Sequence, residues 1–322
     1  MRLQASTRSP LIGTGEPMRA GLLSAALALV PIACGGAHAP RTAPAAKPFG
    51  PSSPSACSAI PGEAALASPL LLVGELHGTV EMPALFARLV CAAAAREPRG
   101  EILVGLEIYS SAQDALERYL GSDGGPAARQ AVLDQAFWQR EFQDGRSSIA
   151  RLDLLEALRH DKAEGLRITV VALDPGDLQN SPGERDAGMA AALVEAIERR
   201  HPARTFVLVG DVHARLAPGY PWDPSASYRS LGVRLQAHYG EVQALRALAS
   251  GGSAWLCTSA KSEECGVQQQ RERDSGGPTP RIEAVAEGAA TTGFTGTLFC
   301  GPVSPSLPAR PDRRREPPMP VR

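Results

Sequence analysis

Near-continuous apolar runs alternate with helix-period segments through the middle of the chain, and this alternation constrains the fold most strongly. Runs rich in Val, Leu and Ile occur at residues 70–73, 102–108, 167–173 and 205–209. Helical patterns lie between and around them at residues 84–96, 112–120, 126–138, 147–160 and 185–200. Strands that are apolar along their whole length are buried on both faces, as in a parallel sheet covered by helices. The sequence therefore predicts an α/β fold with a mostly parallel sheet and helices on both faces.

The pattern becomes less regular after residue 214. A loop rich in Pro, Gly, Trp and Tyr is expected at 217–230 and a helix at 231–239, and strand-like pieces follow near 241–248, 253–257 and 293–300. Of the 322 residues, 43% are hydrophobic, which is enough for one substantial core. We expect a single domain over residues 68–301 with a more irregular C-terminal part.

The N-terminal segment has the pattern of an export signal. Residues 20–32 form an apolar run that is too short to span a bilayer but typical of a signal peptide, and Arg19 supplies the preceding positive charge. Met18 lies directly before Arg19 and is the expected translation start. The sequence thus predicts a signal peptide over residues 1–33 and export to the periplasmic side of the cell envelope.

Two interpretations of the processing site are open. Residues 31–34, Pro-Ile-Ala-Cys, resemble a bacterial lipobox with Cys34 as the acylated residue, although Pro31 stands where Leu is usual. Cleavage after the Ala-His-Ala of residues 37–39 is the alternative, but Pro40 directly after the cut disfavours it. The first interpretation predicts a membrane partner through a lipid anchor.

Both flanks of the domain are low in periodicity. Residues 34–67, dominated after Cys34 by Ala, Pro, Ser and Gly, are expected to form a flexible, lipid-anchored tether. Residues 302–322 are rich in Pro and Arg and are expected to form a disordered tail.

The cysteines and the charge balance indicate the compartment and exclude one class of partner. Six cysteines fit an oxidising compartment, with Cys257–Cys265 as the first expected disulfide and Cys57–Cys91 as the second. Lys and Arg total 33 and Asp and Glu total 34, a formal net charge of −1. Such a balance predicts no nucleic-acid partner.

Acidic and imidazole side chains follow four of the predicted strands. They are Glu75 and His77 in Gly-Glu-Leu-His-Gly, Glu107, Asp174, and Asp211 and His213 in Gly-Asp-Val-His-Ala. The carboxyl ends of parallel strands meet at one edge of a sheet, where ligands bind in this architecture. Carboxylates and imidazoles are the groups that metal binding or general acid–base chemistry requires. The sequence therefore predicts a catalytic site at this edge.

Each of these residues also has a structural interpretation. Asp174, before Pro175, is expected to cap a turn or helix, and for Asp211 capping and a role in the site are both open. Two histidines in near-identical settings favour function, and Glu107 would be costly to bury without a partner. Among the loop residues, Arg146 is free to reach an anionic group. Arg185 lies at a helix start, where its positive charge is unfavourable to the helix dipole. Arg146 and Arg185 are therefore both candidate substrate-binding residues.

The two Gly-acid-x-His motifs, with Glu107 between them, resemble a known superfamily. It joins the erythromycin-esterase-like hydrolases, the Tiki metalloproteases and the ChaN-type haem-binding lipoproteins, and the resemblance covers about residues 68–250. In the ChaN-type proteins the second motif usually begins Gly-Asn, so Asp211 departs from that branch, whereas a lipid anchor favours it.

The branches imply different chemistry for the same residues. In the hydrolase branches Glu75, His77, Glu107 and His213 would activate water directly, or His77, Glu107 and His213 would hold a divalent metal such as Mn or Zn. In the haem branch the cleft would hold haem, with Tyr109 as the nearest axial candidate.

Three hypotheses follow from the motifs and from what the chain lacks. The first is a hydrolase acting on a small-molecule or peptide substrate, the second is haem or iron binding without catalysis, and the third is a catalytically inactive interaction module. The sequence has no Gly-x-Ser-x-Gly elbow, Walker loop or His-Glu-x-x-His helix. It also has no well-placed Gly-x-Gly-x-x-Gly. These absences argue against serine hydrolases, nucleotide hydrolases and dehydrogenases.

Overall fold

The structure of the protein is a computed structural model. It contains the predicted parallel sheet. The structure describes residues 57–176, 181–223, 227–259, 261–272, 276–277, 279–285 and 289–310. The expected signal peptide, Cys34 and nearly all of the tether lie outside this part of the chain. None of the helices in the described part is both long enough and apolar enough to cross a membrane.

Eight strands form the sheet. They are β1 (Leu70–Glu75), β2 (Ile102–Tyr109), β3 (Ile168–Asp174), β4 (Arg204–Gly210), β5 (Gln243–Cys257), β6 (Cys265–Gln269), β7 (Arg281–Ala284) and β8 (Gly296–Val303). Their order is β3-β2-β4-β1-β5-β8-β7, with β6 paired to β5. All neighbours along this order are parallel except β7 with β8, and β6 is antiparallel to β5.

Helices occupy both faces of the sheet. They are α1 (Glu81–Arg96), α2 (Gln113–Leu120), α3 (Pro126–Leu133), α4 (Ala136–Gln139), α5 (Ile149–Ala163), α6 (Pro182–Arg200), α7 (Asp211–Ala214), α8 (Leu231–Tyr239) and α9 (Ala289–Thr292). One core contains Phe86 and Leu89 of α1 and Leu155 of α5. The other contains Met189 of α6 and Leu235 of α8. The mostly parallel sheet with helices on both faces is therefore confirmed.

The pairing of β4 between β1 and β2 brings three of the predicted strand ends together. Glu75 of β1 lies opposite Gly210 of β4 in the register. Leu106 of β2 lies opposite Leu208, so Glu107 follows next to the end of the same central strand. The chain order 1, 2, 4 becomes the spatial order 2, 4, 1, and the carboxyl edge of such a crossover is where α/β sheets form a crevice.

The C-terminal part differs in detail from the predicted strands. The pieces expected near 241–248 and 253–257 form one strand, β5, which changes partner from β8 to β6 after Gly251 and Gly252. Both glycines have positive φ, of 110° and 92°, a conformation that other residues adopt with strain. The sequence pattern predicts two separate strands here, because the glycine pair interrupts the alternation of apolar residues.

Ordered contacts extend beyond the predicted limits of 68–301 at both ends. Ile60 and Leu66 are buried in the first core. The segment of residues 304–310, here called the C-terminal strap, exchanges backbone hydrogen bonds with the loops at Val80 and Ser147, at 3.0 Å each. A proline-rich segment has neither the strand period nor the helix period. Sequence patterns therefore do not predict that isolated backbone hydrogen bonds order it. Residues 311–322 lie outside the described residues.

Within the described residues, two disulfides link the chain, and both match the expected pairs. Cys257–Cys265 joins directly opposed positions of β5 and β6. Cys57–Cys91 ties the segment before β1 to α1. The Cys257–Cys265 disulfide closes the loop between β5 and β6, which in the sequence is only a polar stretch.

The buried face of α1 gives a test of the core. Leu89 is 0% exposed, whereas Leu307 of the strap is 48% exposed. We expect Leu89→Ala to lower the free energy of unfolding by about 2–5 kcal/mol, because a buried cavity replaces the side chain. The matched change Leu307→Ala is expected to alter it by about 0.5 kcal/mol or less. Urea unfolding followed by circular dichroism measures both, and equal losses would contradict this assignment of the core.

Candidate active site

Glu107 lies at the centre of the predicted site and is buried with two arginines. It is 1% exposed. Its Oε1 accepts hydrogen bonds from Arg185 Nη2 at 2.6 Å and Arg146 Nη1 at 3.3 Å. Its Oε2 accepts one from the amide of Gly210 at 2.8 Å. A buried carboxylate requires partners, and those of Glu107 are two guanidinium groups and a backbone amide.

The surroundings of Glu107 stabilise its ionised form. Burial by itself raises the pKa of the Glu107 carboxyl. The positive charges around it, of which His213 and His77 contribute most and the two arginines follow, outweigh burial and hold the pKa well below its usual value. Glu107 therefore acts as a fixed negative charge rather than as a proton donor.

His77 is held by the carboxylate of its own motif. Its Nδ1 lies 3.0 Å from Glu75 Oε1. The same Glu75 oxygen accepts a hydrogen bond from Arg151, which is 1% exposed and lies on α5. On the other side of the ring, Nε2 lies 3.6 Å from Glu107 Oε2, beyond hydrogen-bond distance. The arrangement fixes the ring through Nδ1 and turns Nε2 towards Glu107.

His213 is held by a carboxylate from a different element. Its Nδ1 lies 2.9 Å from Oδ1 of Asp186, which is near the start of α6. Asp186 also accepts hydrogen bonds from the Tyr228 hydroxyl at 2.8 Å and the Leu231 amide at 2.6 Å. The His213 Nε2 lies 3.1 Å from Arg185 Nη1. Asp186 is fully buried, so three donors satisfy it at the base of the ring.

The proton affinity of His213 reflects these neighbours. Burial lowers the pKa of the His213 imidazole, but the charges of Glu107 and Asp186 and the hydrogen bond to Asp186 raise it further, so that the pKa lies above its usual value. Arg185 opposes the rise. His213 therefore retains a proton to higher pH than an exposed histidine.

Asp174 has both of the roles that were weighed for it. Its Oδ1 accepts a hydrogen bond from the Gly176 amide at 3.0 Å, which is the expected turn cap. The carboxylate also binds the guanidinium groups of Arg185 and Arg146, with Arg146 Nη1 at 3.1 Å from Oδ2. Asp144 holds Arg146 from the other side, with its Oδ2 2.8 Å from Nε. Both predicted substrate-binding arginines are thus locked by carboxylates.

Local sequence features position these side chains. A capping box of Ser181 and Glu184 begins α6, so Arg185 and Asp186 stand near its start at the edge of the sheet. At Gly210, an added Cβ would lie 2.9 Å from His77 Nε2. Only glycine leaves room for the His77 ring over the end of β4.

Two predicted residues have other contacts. Asp211 begins α7 and forms an ion pair with Arg246 at 3.1 Å, with both side chains about one third exposed, 36% and 37%. The Tyr109 ring packs edge-on against Phe137, with the centroids 5.3 Å apart. The structure therefore brings Glu75, His77, Glu107, His213, Arg146 and Arg185 into one network.

Sequence reasoning missed Arg151, assigned no role to Asp186 and did not predict the contact of Tyr228 with His213. Arg151 lies one turn before Leu155 and two turns before Leu158 on the buried side of α5. An arginine in that row was a readable sign of a buried ionic partner. Asp186 and Tyr228 offered no such sign, because their contact with His213 depends on the packing of α6 against the loop before α8.

The donor set does not fit a divalent metal ion. Both oxygens of Glu107 are already occupied, and Arg185 lies within hydrogen-bond distance of Glu107 and of the His213 Nε2. A second cation at this point would meet guanidinium charge instead of free ligand atoms. Across the described residues, three potential ligand atoms gather only at Cys57, Cys91 and Asp161, where both sulfurs form a disulfide. A haem macrocycle needs largely apolar walls, whereas Glu107, Arg146 and Arg185 are charged.

Comparison with known proteins identifies the fold. No protein-family model and no curated protein matches the chain. A solved structure described as a succinoglycan biosynthesis protein aligns at 11% identity over 74% of this chain and 89% of that chain, with a TM-score of 0.53. A mutant of the erythromycin esterase EreC in its open conformation aligns at 10% identity over 76% of this chain and 93% of that chain, with a TM-score of 0.52. The chain thus shares the fold of an erythromycin esterase, as its motifs led us to expect, and at these identities the likeness concerns the fold alone.

The buried charge of Glu107 predicts how stability depends on pH. We expect Glu107→Gln to lower the free energy of unfolding near neutral pH by about 3–5 kcal/mol, because two buried guanidinium groups lose their common partner. Since the folded-state pKa of Glu107 is lowered, its contribution is full above the unfolded carboxyl pKa of about 4.3. It is lost as the pH falls below that value towards the folded-state pKa, so the gap between wild type and variant narrows in acid.

Urea unfolding at a series of pH values measures this gap. Glu195→Gln is the matched control, because Glu195 pairs with Arg199 at the surface and its side chain is 73% exposed. Its effect is expected to be about 0–1 kcal/mol. A Glu107→Gln variant as stable as this control would show that the network does not depend on the Glu107 charge.

Proposed function

We propose that this site hydrolyses a carboxylic ester without a metal ion, with His77 as the general base. The observation that carries the proposal is the geometry of His77. Its Nδ1 is fixed by Glu75, and among the described residues its Nε2 has no hydrogen-bond partner. The His77 side chain is 19% exposed, so the ring is in partial contact with solvent. An oriented imidazole with one nitrogen outside any hydrogen bond is the arrangement that general-base catalysis requires.

The first step would be removal of a proton from water by His77 Nε2 as the water oxygen attacks the ester carbonyl carbon. The imidazolium formed is stabilised by Glu75 at 3.0 Å and by Glu107 at 3.6 Å. Both carboxylates are in place before the reaction, so no reorganisation is needed when the charge appears.

The oxyanion of the tetrahedral intermediate would be stabilised by Arg185 and His213. Their side chains are each 15% exposed, and Arg185 Nη1 lies 3.1 Å from His213 Nε2. His213 has a raised pKa and Arg185 is permanently charged, so both provide positive charge for the developing oxyanion. Collapse of the intermediate breaks the carbon–oxygen bond, and His77 returns its proton to the departing alkoxide. The products are a carboxylic acid and an alcohol.

Loss of the base is the direct test of this mechanism. With p-nitrophenyl acetate and a panel of lactones, we expect His77→Ala to lower kcat/KM by about 10²–10⁴-fold, because water then attacks without a base. His238→Ala is the matched control, since His238 is a surface residue with a 47% exposed side chain on α8. EDTA is expected to leave the rate unchanged.

Three results would contradict the mechanism. They are hydrolysis of no substrate by the wild type, equal rates for wild type and His77→Ala, and a loss in EDTA that Zn²⁺ or Mn²⁺ restores. Such a loss in EDTA would instead support the interpretation that His77, Glu107 and His213 hold a divalent metal. A Soret band on titration with haemin, without hydrolysis, would favour the haem-binding interpretation.

We further propose that the protein is exported and anchored through Cys34. The signal-peptide pattern of residues 1–33 motivates this proposal, and the two disulfides of the described residues support an oxidising compartment. In a bacterial host we expect Cys34→Ala to move the protein from the membrane fraction to the soluble fraction and to abolish labelling by radioactive palmitate. Cys300→Ala, at a buried free thiol, is the control. Labelling that persists in Cys34→Ala would contradict the anchor.

A further inference from the structure

Ser306 of the C-terminal strap bonds to two different elements of the candidate site. It is 3% exposed. Its backbone amide donates a hydrogen bond to the carbonyl oxygen of Gly78 at 2.9 Å, and Gly78 directly follows His77. Its Oγ accepts a hydrogen bond from the backbone amide of Ala150 at 2.8 Å, in the first turn of α5. One buried residue therefore links the loop of the proposed general base to the start of a helix.

The start of α5 needs these bonds because its own cap residue does not supply them. The first backbone amides of a helix have no partner within the helix. A serine directly before a helix often accepts one of them, but in the described part of the chain the Ser148 side chain accepts no such bond. The carbonyl oxygen of Leu307 accepts from the Ile149 amide at 2.8 Å instead. Ser306 Oγ accepts from the Ala150 amide, so the strap caps α5.

The helix capped in this way carries the support of His77. Arg151 directly follows Ala150 and is 1% exposed. Its guanidinium group binds Glu75 Oε1, the same oxygen that lies 3.0 Å from His77 Nδ1. The contacts therefore close into a circle, whose members in order are Ser306, Gly78, His77, Glu75, Arg151 and Ala150.

We propose that Ser306 is a positioning residue for His77, which fixes the imidazole by holding the loop behind it and the helix of Arg151 together. Without this link the loop and the helix could move independently, and the backbone and the Nδ1 partner of His77 would move with them. A displacement of about 1 Å at a reacting group is enough to slow a reaction about 10²-fold. The inference depends on the proposed hydrolase function for the reaction, but not for the position of the imidazole.

Other hydrogen bonds limit how far the loop after His77 can move. The Gly78 carbonyl oxygen also accepts from the Trp255 amide at 2.9 Å, and the Val80 amide donates to the Ser304 carbonyl oxygen at 3.0 Å. Gly78 has a φ of 71°, and a Cβ added there would lie 2.0 Å from the Trp255 carbonyl oxygen. The loop is therefore packed closely against β5. Removal of the Ser306 contacts is expected to shift this loop without unfolding it.

Two substitutions at Ser306 in the full chain separate its contacts. Ser306→Ala removes the hydroxyl that binds Ala150, and Ser306→Pro also removes the amide that binds Gly78. On p-nitrophenyl acetate and the lactone panel, we expect kcat to fall about tenfold in Ser306→Ala and about 10²-fold in Ser306→Pro, because the base is displaced. KM is expected to stay within about twofold, since the circle of contacts positions the base and does not bind the substrate.

The position of the imidazole is measured without hydrolysis. In protein with isotopically labelled histidine, the ring NMR signals of His77, assigned with His77→Ala, are expected to shift in both Ser306 variants. Ser68→Ala is the matched control. Ser68 is 8% exposed, and its Oγ accepts from the Leu70 amide at 3.2 Å, at the opposite end of β1 from Glu75. This control is expected to lose stability in urea but to keep the kcat and the His77 signals of the wild type.

Two results would overturn the positioning role. One is a pair of Ser306 variants, folded by circular dichroism, that keep the kcat and the His77 signals of the wild type. The other is a loss of stability alone, as in Ser68→Ala. Ser306→Ala, which leaves the backbone bonds of the strap in place, decides the question if Ser306→Pro does not fold.

The two proposals fail in different ways. Shifted His77 signals in the Ser306 variants, without hydrolysis of any ester by the wild type, support the positioning role and contradict the hydrolase mechanism. Hydrolysis that depends on His77, with kcat and ring signals unchanged in the Ser306 variants, supports the mechanism and contradicts the positioning role.

Discussion

The ionised carboxylate of Glu107, buried at the end of β2, is the constraint on which the rest of the site depends. A carboxylate with 1% exposure is stable only if its hydrogen-bonding capacity is filled. Three elements meet this need: the loop that carries Arg146, the first turn of α6 with Arg185, and the amide of Gly210 at the end of β4. One buried charge thus fixes the relative positions of a loop, a helix start and the central strand. Both histidines then lie within 4 Å of its oxygens, at 3.6 and 3.8 Å.

The sequence allowed the fold and the centre of the site to be predicted, because both depend on short-range patterns. Apolar runs located the parallel strands, and the residues directly after them are close in space for any parallel sheet. Arg151, Asp186 and Tyr228 were less accessible to this reasoning, since each reaches the site only through tertiary packing. The strap and strands β6 and β7 were missed for a related reason: backbone hydrogen bonds order them, and these leave no hydrophobic period.

The two Gly-acid-x-His motifs look equivalent in sequence but are connected differently. In the first, Glu75 binds the His77 of its own motif. In the second, Asp211 turns away to Arg246, and His213 is bound by Asp186 from α6. The difference arises because the acid in the first motif is the last residue of its strand, whereas Asp211 is already the first residue of α7. Similar spacing therefore gives two imidazoles with different supports, and Asp211 forms an ion pair at the rim instead of holding His213.

The charges around the two imidazoles support a division of labour between them. Ion pairs join Glu75, Glu107, Asp144 and Asp174 to the guanidinium groups of Arg140, Arg146, Arg151 and Arg185, and Asp186 pairs with His213. A carboxylate in contact with an imidazole stabilises the proton that makes the ring an imidazolium. His213, whose pKa is raised by Glu107 and Asp186, is the residue suited to carry that proton. In the proposed mechanism, the proton that His77 takes from water arrives together with the negative charge of the oxyanion, and His77 then returns it to the departing alkoxide. The two histidines would thus have different roles, because His213 supplies positive charge to the oxyanion whereas His77 transfers the proton.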